Sequence, residues 1–200
     1  MSIHAITPRR SLVLATALGF ALTGCGSSGS STSTGAASAT STSEAQSAAT
    51  GDIPDNQQFL SYRDRKAGYS VKYPEGWART GAPADLTFAD KDNQVHIAVT
   101  SGQAPNPAAA KAALLKSAAA SSQLKVKTAT TMSIGGAPAV HITYEELGKS
   151  DPVTGKRLTI MVDRYVFAKG GQVATMDEST PVGVDNVDAY RLIAQSFKWS

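Results

Sequence analysis

The amino-acid sequence predicts an α+β fold in which an antiparallel β-sheet is flanked by helices. Between residues 69 and 177, short apolar runs recur, several with alternating polar residues, and short links rich in Gly, Pro or Asp join them. Two other stretches, near residues 106–121 and 185–197, have helical signals instead. The links favour antiparallel neighbours, because parallel strands need a long crossover between them.

The first strands are marked by alternation and by turns. Residues 69–73 alternate apolar and polar side chains and lead into the turn Pro74-Glu75-Gly76. Residues 86–89 and 94–101 are predicted to form a hairpin across residues 90–93. In the second strand of this hairpin, apolar side chains occupy every other position, as in a sheet with one buried face.

The two predicted helices differ in character. The first spans about residues 106–121, with Pro107 near its start and alanine as its dominant residue. Asp185 is the predicted N-cap of the second. Its apolar face repeats at helical spacing and consists of Tyr190, Ile193, Ala194 and Phe197.

Four further strands are predicted between the helices. They cover residues 124–134, 139–147, 157–168 and 172–177. In the third of them, Asp163-Arg164 interrupts an apolar run, and the apolar side chains change face across this pair. A β-bulge or a partly buried ion pair explains such a change.

Two segments resemble motifs of a known family. Residues 68–77, Gly-Tyr-Ser-Val-Lys-Tyr-Pro-Glu-Gly-Trp, resemble the opening motif of the PsbP-like superfamily, and residues 190–197 are similar to its closing helix. The superfamily includes bacterial envelope lipoproteins of the LpqN type. The resemblance covers nearly all of the predicted domain and implies an α/β/α sandwich. It also implies a binding or assembly role, and it provides no shared catalytic residues.

The N-terminus has the plan of a bacterial lipoprotein signal. Basic Arg9-Arg10 precedes an apolar run over residues 12–22, and the small residues Thr23 and Gly24 lead to Cys25. The apolar run is too short to span a bilayer, which needs about 20 residues. We therefore predict a signal peptide over residues 1–24, cleavage between Gly24 and Cys25, and lipidation of Cys25. A plain signal peptide or an uncleaved anchor is the alternative.

A flexible tether is predicted after the anchor. Residues 25–51 comprise the lipidated cysteine and a segment of almost only Ser, Thr, Ala and Gly, in which Glu44 is the single charge. Because this segment lacks large apolar side chains, nothing offsets the entropy of ordering it. Residues 52–200 form the predicted domain. Its predicted location is the extracytoplasmic face of the cell membrane, where lipidated Cys25 holds it.

Charge and cysteine content exclude several classes of function. The formal net charge is +3, but loss of Arg9 and Arg10 with the signal leaves 17 basic side chains against 16 acidic ones. A nearly neutral domain lacks the basic surface that nucleic-acid binding requires. Cys25 is the only cysteine. Once it is lipidated, the domain has neither a disulfide nor a thiol nucleophile.

A few side chains are candidate ligand-binding residues. His96 and His141, each on a predicted strand, are candidates to share a metal or acid–base cluster with Asp163, Asp177 or Glu178. Trp77 is a candidate for the wall of an apolar groove. The alternatives are a structural strand histidine and a core tryptophan. No established catalytic motif occurs, so we predict no catalytic residues, no metal and no cofactor.

Together these observations predict a lipid-anchored envelope protein that is not an enzyme. Its domain is expected to bind a partner protein or an apolar envelope molecule, and no nucleic acid. The alternative is a hydrolase of cell-wall or lipid substrates that uses Asp163, Asp177 or His141 in a cleft.

Overall fold

The computed structural model describes residues 51–200, and within them ten strands form two antiparallel sheets. The strands are β1 (Phe59–Asp64), β2 (Tyr69–Pro74), β3 (Ala78–Ala82), β4 (Asp85–Asp90), β5 (Asn93–Ser101), β6 (Lys125–Ile134), β7 (Ala137–Ser150), β8 (Arg157–Lys169), β9 (Gln172–Pro181) and β10 (Lys198–Trp199). The large sheet has the order β3-β4-β5-β9-β8-β7-β6, and the small sheet has the order β1-β2-β10. The predicted α+β class is confirmed. The predicted signal peptide, Cys25 and the tether before Gly51 lie outside the described residues.

Helix α1 (Pro107–Ser117) is shorter than predicted. Its N-cap is Asn106, whose side-chain oxygen accepts a hydrogen bond from the Ala109 N–H at 2.8 Å. The predicted end at residue 121 is wrong, because Ala118 is extended and a separate 3₁₀ turn follows at Ala120–Ser122. The last buried side chain of α1 is Leu114. Beyond it the alanines bury no apolar face, and helix propensity alone does not sustain the helix.

Helix α2 (Val187–Ser196) buries the apolar face that its spacing predicts. The predicted cap is wrong by one residue, because Asn186 and not Asp185 is the N-cap. The Asn186 side chain makes no capping bond, since it belongs to a buried network. The Asp185 N–H donates to a carboxylate oxygen of Asp52 at 3.1 Å.

Apolar cores lie on both faces of the large sheet. On the front face, side chains of α2 and of the small sheet pack against the large sheet around Phe88, Ile97, Phe167 and Met176. On the back face, Ala110 and Leu114 of α1 pack against a smaller cluster of side chains from β7 and β8. The large sheet therefore separates α1 from α2, in agreement with the α/β/α sandwich that the resemblance implies.

Three strands that the pattern did not predict, β1, β3 and β10, lie at sheet edges. β3 has no buried residue, so it lacks the alternation that marks a strand. It forms because β4 pairs with it from Ala78 opposite Ala89 to Ala82 opposite Asp85. β1 and β10 pair with β2 in the same way. All three depend on a neighbouring strand for their order, and a local sequence pattern does not report that dependence.

The change of apolar face in β8 comes from an ion pair. Arg164 donates to both carboxylate oxygens of Asp177 at 2.6 Å each, on the back face. The bulge alternative is wrong at this position, because the pairing of β8 with β7 and β9 is continuous through Asp163 and Arg164. The register shifts lie elsewhere, between Val126 and Thr128 and near the end of β7.

Buried amides join the start of the described chain to α2. The Asn186 side-chain oxygen accepts from the Ile53 N–H at 2.6 Å, and its NH₂ group donates to the Asn93 oxygen at 3.0 Å. Asn93 in turn donates to the Gly51 carbonyl, and the Thr180 hydroxyl donates to Asn93. Because buried amides need such partners, this network fixes the place where the predicted tether meets the domain.

The turn between β6 and β7 provides a test of how α2 is packed. Gly135 and Gly136 both have positive φ, at +58° and +84°. A Cβ at Gly135 would lie 2.3 Å from the Gln195 carbonyl oxygen, whereas a Cβ at Gly136 would meet nothing within 4 Å. Both positions therefore have conformational strain on substitution, but only Gly135 is in close contact with α2.

We expect Gly136→Ala to lower the free energy of unfolding by about 1 kcal/mol, the cost of a left-handed alanine. Gly135→Ala should lower it by about 2–4 kcal/mol, because the backbone of α2 must also move. Urea unfolding of the two variants measures the difference. Equal losses would contradict the close packing of this turn against α2.

Candidate functional site

A cleft opens on the front face between α2, the ends of β6 and β9 and the middle of β8, with a volume of about 530 Å³. We call it the front cleft. Its apolar lining includes Met132, Ile134, Met161, Val182, Val184 and Val187. Its polar or charged lining includes Asp163, Tyr165, Glu178, Tyr190 and Arg191. Most of the lining is thus apolar, with a few ionisable groups, as in many small-molecule sites.

The front cleft exists because the first half of β8 lacks a covering helix on this face. Val162 and Ile160 belong to the back core, so the alternating residues Met161 and Asp163 point to the front. In the second half of β8, Phe167 lies in the front core instead. The interruption at residues 163–164 therefore marks the boundary between the covered and the open parts of the front face.

Glu178 is a buried acid in the wall of the front cleft. The residue is 1% exposed, and neither carboxyl oxygen has a side-chain hydrogen-bond partner among the described residues. Burial raises the pKa of Glu178 well above its ordinary value, and the nearby Asp163 carboxylate raises it further. The backbone N–H of Ala194 is close enough to lower this pKa, but by less than burial raises it. Sequence reasoning named Glu178 only as a possible neighbour of the histidines, because no local pattern reports a missing partner.

Asp163 lies directly opposite Glu178 on the neighbouring strand. Its carboxylate is 2.6 Å from Nε2 of His141, and the His141 ring stacks on Tyr165 with 4.7 Å between centroids. The Thr143 hydroxyl also approaches Asp163, at 3.4 Å. Asp163 is therefore oriented by β7 side chains, while Glu178 is not.

Arg191 is the guanidinium group in the lining of the front cleft. Its Nη2 donates to Asp188 one turn earlier on α2, at 2.5 Å, and its side chain is 56% exposed. The Tyr190 hydroxyl donates to the Ser179 carbonyl at 2.6 Å. Tyr190 and Arg191 therefore have hydrogen-bond partners other than Glu178.

The structure brings together only part of the predicted site. His141 and Asp163 form a pair on the front face, whereas Asp177 binds Arg164 on the back face. His96 is also on the back face, where it contacts Asp85 at 2.6 Å. Asp177 is therefore separated from the His141–Asp163 pair by the sheet itself.

Trp77 lies in the front core and does not line the front cleft. Within residues 51–200, no three His, Cys, Asp or Glu side chains are grouped in a way that could hold a metal ion. In the same part of the chain, no helix has the length and apolar character needed to cross a membrane.

The buried acid makes the stability of the protein pH-dependent. The folded state binds the Glu178 proton more tightly than the unfolded chain, whose carboxyl has the ordinary pKa of 4.5. The stabilisation is fully present below that pH and is lost as the pH rises through the higher pKa of the folded state. We expect the free energy of unfolding to fall as the pH rises above the ordinary value of 4.5, by at most about 1.4 kcal/mol per pH unit from this group.

Glu178→Gln should make this decline shallower, because glutamine does not titrate. Urea unfolding at several pH values measures the slopes for both proteins. Glu75→Gln is the matched control, since Glu75 is exposed and should leave the slope unchanged. Identical slopes for wild type and Glu178→Gln would contradict the burial of an ionisable Glu178.

Comparison with solved structures finds several similar proteins. The cyanobacterial PsbP protein (CyanoP) of Synechocystis sp. PCC 6803 matches with a TM-score of 0.57 and 17% identity, over 75% of this chain and 98% of that one. A protein of Bacteroides thetaiotaomicron VPI-5482 matches with a TM-score of 0.48 and 13% identity, over 70% and 48% of the two chains. LpqN of Mycobacterium tuberculosis, which is involved in cell envelope biogenesis, matches with a TM-score of 0.42 and 14% identity, over 72% and 91%.

No protein-family model matches the sequence, and no curated protein matches it. The likeness to CyanoP concerns the fold, since the two sequences are only 17% identical. It extends over nearly the whole of that protein. The described part of this chain therefore has the PsbP-like fold that residues 68–77 and 190–197 predict.

Proposed function

We propose that this chain is a lipid-anchored envelope protein whose PsbP-like domain binds an apolar molecule in the front cleft without chemical turnover. The observation that carries the proposal is the front cleft itself. Its volume of about 530 Å³ lies within the range of small-molecule sites. Its largely apolar lining suits a ligand with a sizeable apolar part.

Exposed apolar side chains at the mouth of the cleft support an apolar ligand. Val182 is 53% exposed and Val187 is 64% exposed, and both belong to the cleft lining. Exposed apolar groups grouped beside a cleft are typical of binding sites. A ligand that entered between them would remove their surfaces from water.

The N-terminal sequence supports attachment to a membrane. Arg9-Arg10, the apolar run over residues 12–22 and Gly24-Cys25 have the order of a lipoprotein signal. A cysteine with two or more acyl chains remains on a bilayer, whereas one chain binds only marginally. The predicted tether of about 26 residues would span roughly 25–30 Å, enough for the domain to reach ligands or proteins near the membrane surface.

His141 and Asp163 favour one alternative, a hydrolase. Their contact at 2.6 Å, with Asp163 in the cleft lining, is an arrangement that acid–base catalysis uses. A hydrolase would show turnover that His141→Ala abolishes. The binding module would hold its ligand unchanged.

We expect the neutral fluorophore N-phenyl-1-naphthylamine to bind the unlipidated chain from Gly26 to Ser200, which contains both apolar cores. Met161→Glu should weaken this binding by about tenfold, because it places a charge against the apolar probe. Leu192→Glu is the matched control, since Leu192 is on α2 but outside the cleft lining. Equal affinities of the two variants would contradict binding in the front cleft.

The anchor is tested separately. We expect the full chain to incorporate labelled palmitate in a bacterial host with lipoprotein processing and to separate with the membrane fraction. Cys25→Ala should lose the label, because the thioether can form only at the thiol, whereas Ser27→Ala should keep it. Label retained by Cys25→Ala would refute lipidation at this residue.

A further inference from the structure

We propose that the ligand of the front cleft is an amphiphile with a protonated amine, whose ammonium group binds Glu178 and Asp163. The inference rests on the proposed function, because it needs a ligand in this cleft. Its basis is the unpaired carboxyl of Glu178 in the cleft wall, with a second carboxyl opposite it.

The two acids lie close to each other on neighbouring strands. Glu178 and Asp163 are directly opposite in the register of β9 and β8, and side chains so placed have Cβ atoms about 4.5–5.5 Å apart. Ionisation of both acids would place like charges side by side, which destabilises a sheet, so Glu178 keeps its proton in the free protein. A cation between the two carboxyls would offset this cost of ionisation, so the site suits an ammonium group.

The basic side chains near the cleft contact acids other than Glu178. His141 is 2.6 Å from Asp163, and Arg191 donates to Asp188. Neither makes a hydrogen bond to Glu178, whose two oxygens have no side-chain partner in residues 51–200. The nearly fully buried carboxyl of Glu178 therefore lacks a charged partner.

An ammonium head group fits this site better than a carboxylate or a hydroxyl head group. A primary ammonium has three N–H donors and no acceptor, so it can satisfy oxygens of both carboxyls. A carboxylate ligand would add a second negative charge beside Asp163. A hydroxyl ligand could bond to Glu178 but carries no positive charge to stabilise its ionised form. The apolar part of the ligand would lie against Met132, Ile134 and Met161.

Binding of the ammonium releases one proton. Because the pKa of Glu178 is raised, its carboxyl stays protonated in the free site to a higher pH than an ordinary glutamate does. When the ammonium binds, it takes the place of that proton as the positive partner of the carboxylate. The groups that face Glu178 are Asp163 and Tyr165 on β8 and Tyr190 and Arg191 on α2. The affinity for the amine should therefore rise with pH until Glu178 is ionised in the free protein.

Calorimetric titration of the chain from Gly26 to Ser200 with octylamine, octan-1-ol and octanoate tests the proposal. The three probes have the same apolar chain and differ in head group. We expect octylamine to bind about tenfold more tightly than octan-1-ol, and octanoate to bind most weakly. The affinity for octylamine should rise with pH, and buffers of different ionisation enthalpy should reveal one released proton.

Glu178→Gln should lower the affinity for octylamine to that for octan-1-ol and leave octan-1-ol binding unchanged, whereas the exposed Glu75→Gln should alter neither. Asp163→Asn is a second variant, at a side chain that is 35% exposed. It should weaken octylamine binding and move its pH profile to lower pH, since a like charge beside Glu178 is removed.

The outcomes separate the inference from the proposed function. Octan-1-ol or octanoate binding as tightly as octylamine would overturn the ammonium proposal but leave the apolar cleft as a binding site. Octylamine binding that neither Glu178→Gln nor Asp163→Asn weakens would also overturn it. If none of the probes binds and the fluorophore fails as well, the proposed function falls too.

Discussion

The packing of α2 against the front face of the large sheet is the constraint on which both the fold and the site depend. At its N-terminal end, Asn186 joins the helix to the start of the described chain and to β5. After its C-terminal end, Phe197 stacks on Phe167 and Tyr69, with centroid distances of 4.4 and 5.7 Å. Near the same end, Gly135 allows close contact with the backbone of the helix. Fixed at both ends, α2 also forms one wall of the front cleft.

The front cleft lies in a well-packed part of the fold but contains one group that destabilises the folded state. A buried carboxyl without a hydrogen bond destabilises the folded state, and such groups are uncommon in proteins outside functional sites. The Arg164–Asp177 pair on the back face shows that the same sheet can give a buried acid a bidentate partner. Glu178, one residue later on β9, has none. The contrast between adjacent residues of one strand favours a ligand as the missing partner of Glu178.

The sequence predicted the elements whose signals are local. Alternation in β2 and β5, and the helical spacing of Tyr190 and Ile193, depend on the contacts of each element with one core. β3 was not predicted, because it has no buried residue and depends on pairing with β4 for its order. The site was predicted only in part for a related reason. Which face of the sheet a residue occupies follows from the pairing register, and a short motif does not contain the partner strand. His141 and Asp163 therefore lie together on the front face, whereas Asp177 lies on the other face.

In our proposal, Glu178 is a protonated, unpaired acid that becomes an ionised partner of a bound amine. A ¹³C NMR titration of the Glu178 side-chain carboxyl, in the free protein and with saturating octylamine, measures this change. We expect a pKa well above the ordinary value in the free protein and a lower pKa in the complex, because the ammonium stabilises the carboxylate. An ordinary pKa in the free protein, or a pKa that octylamine leaves unchanged, would contradict it.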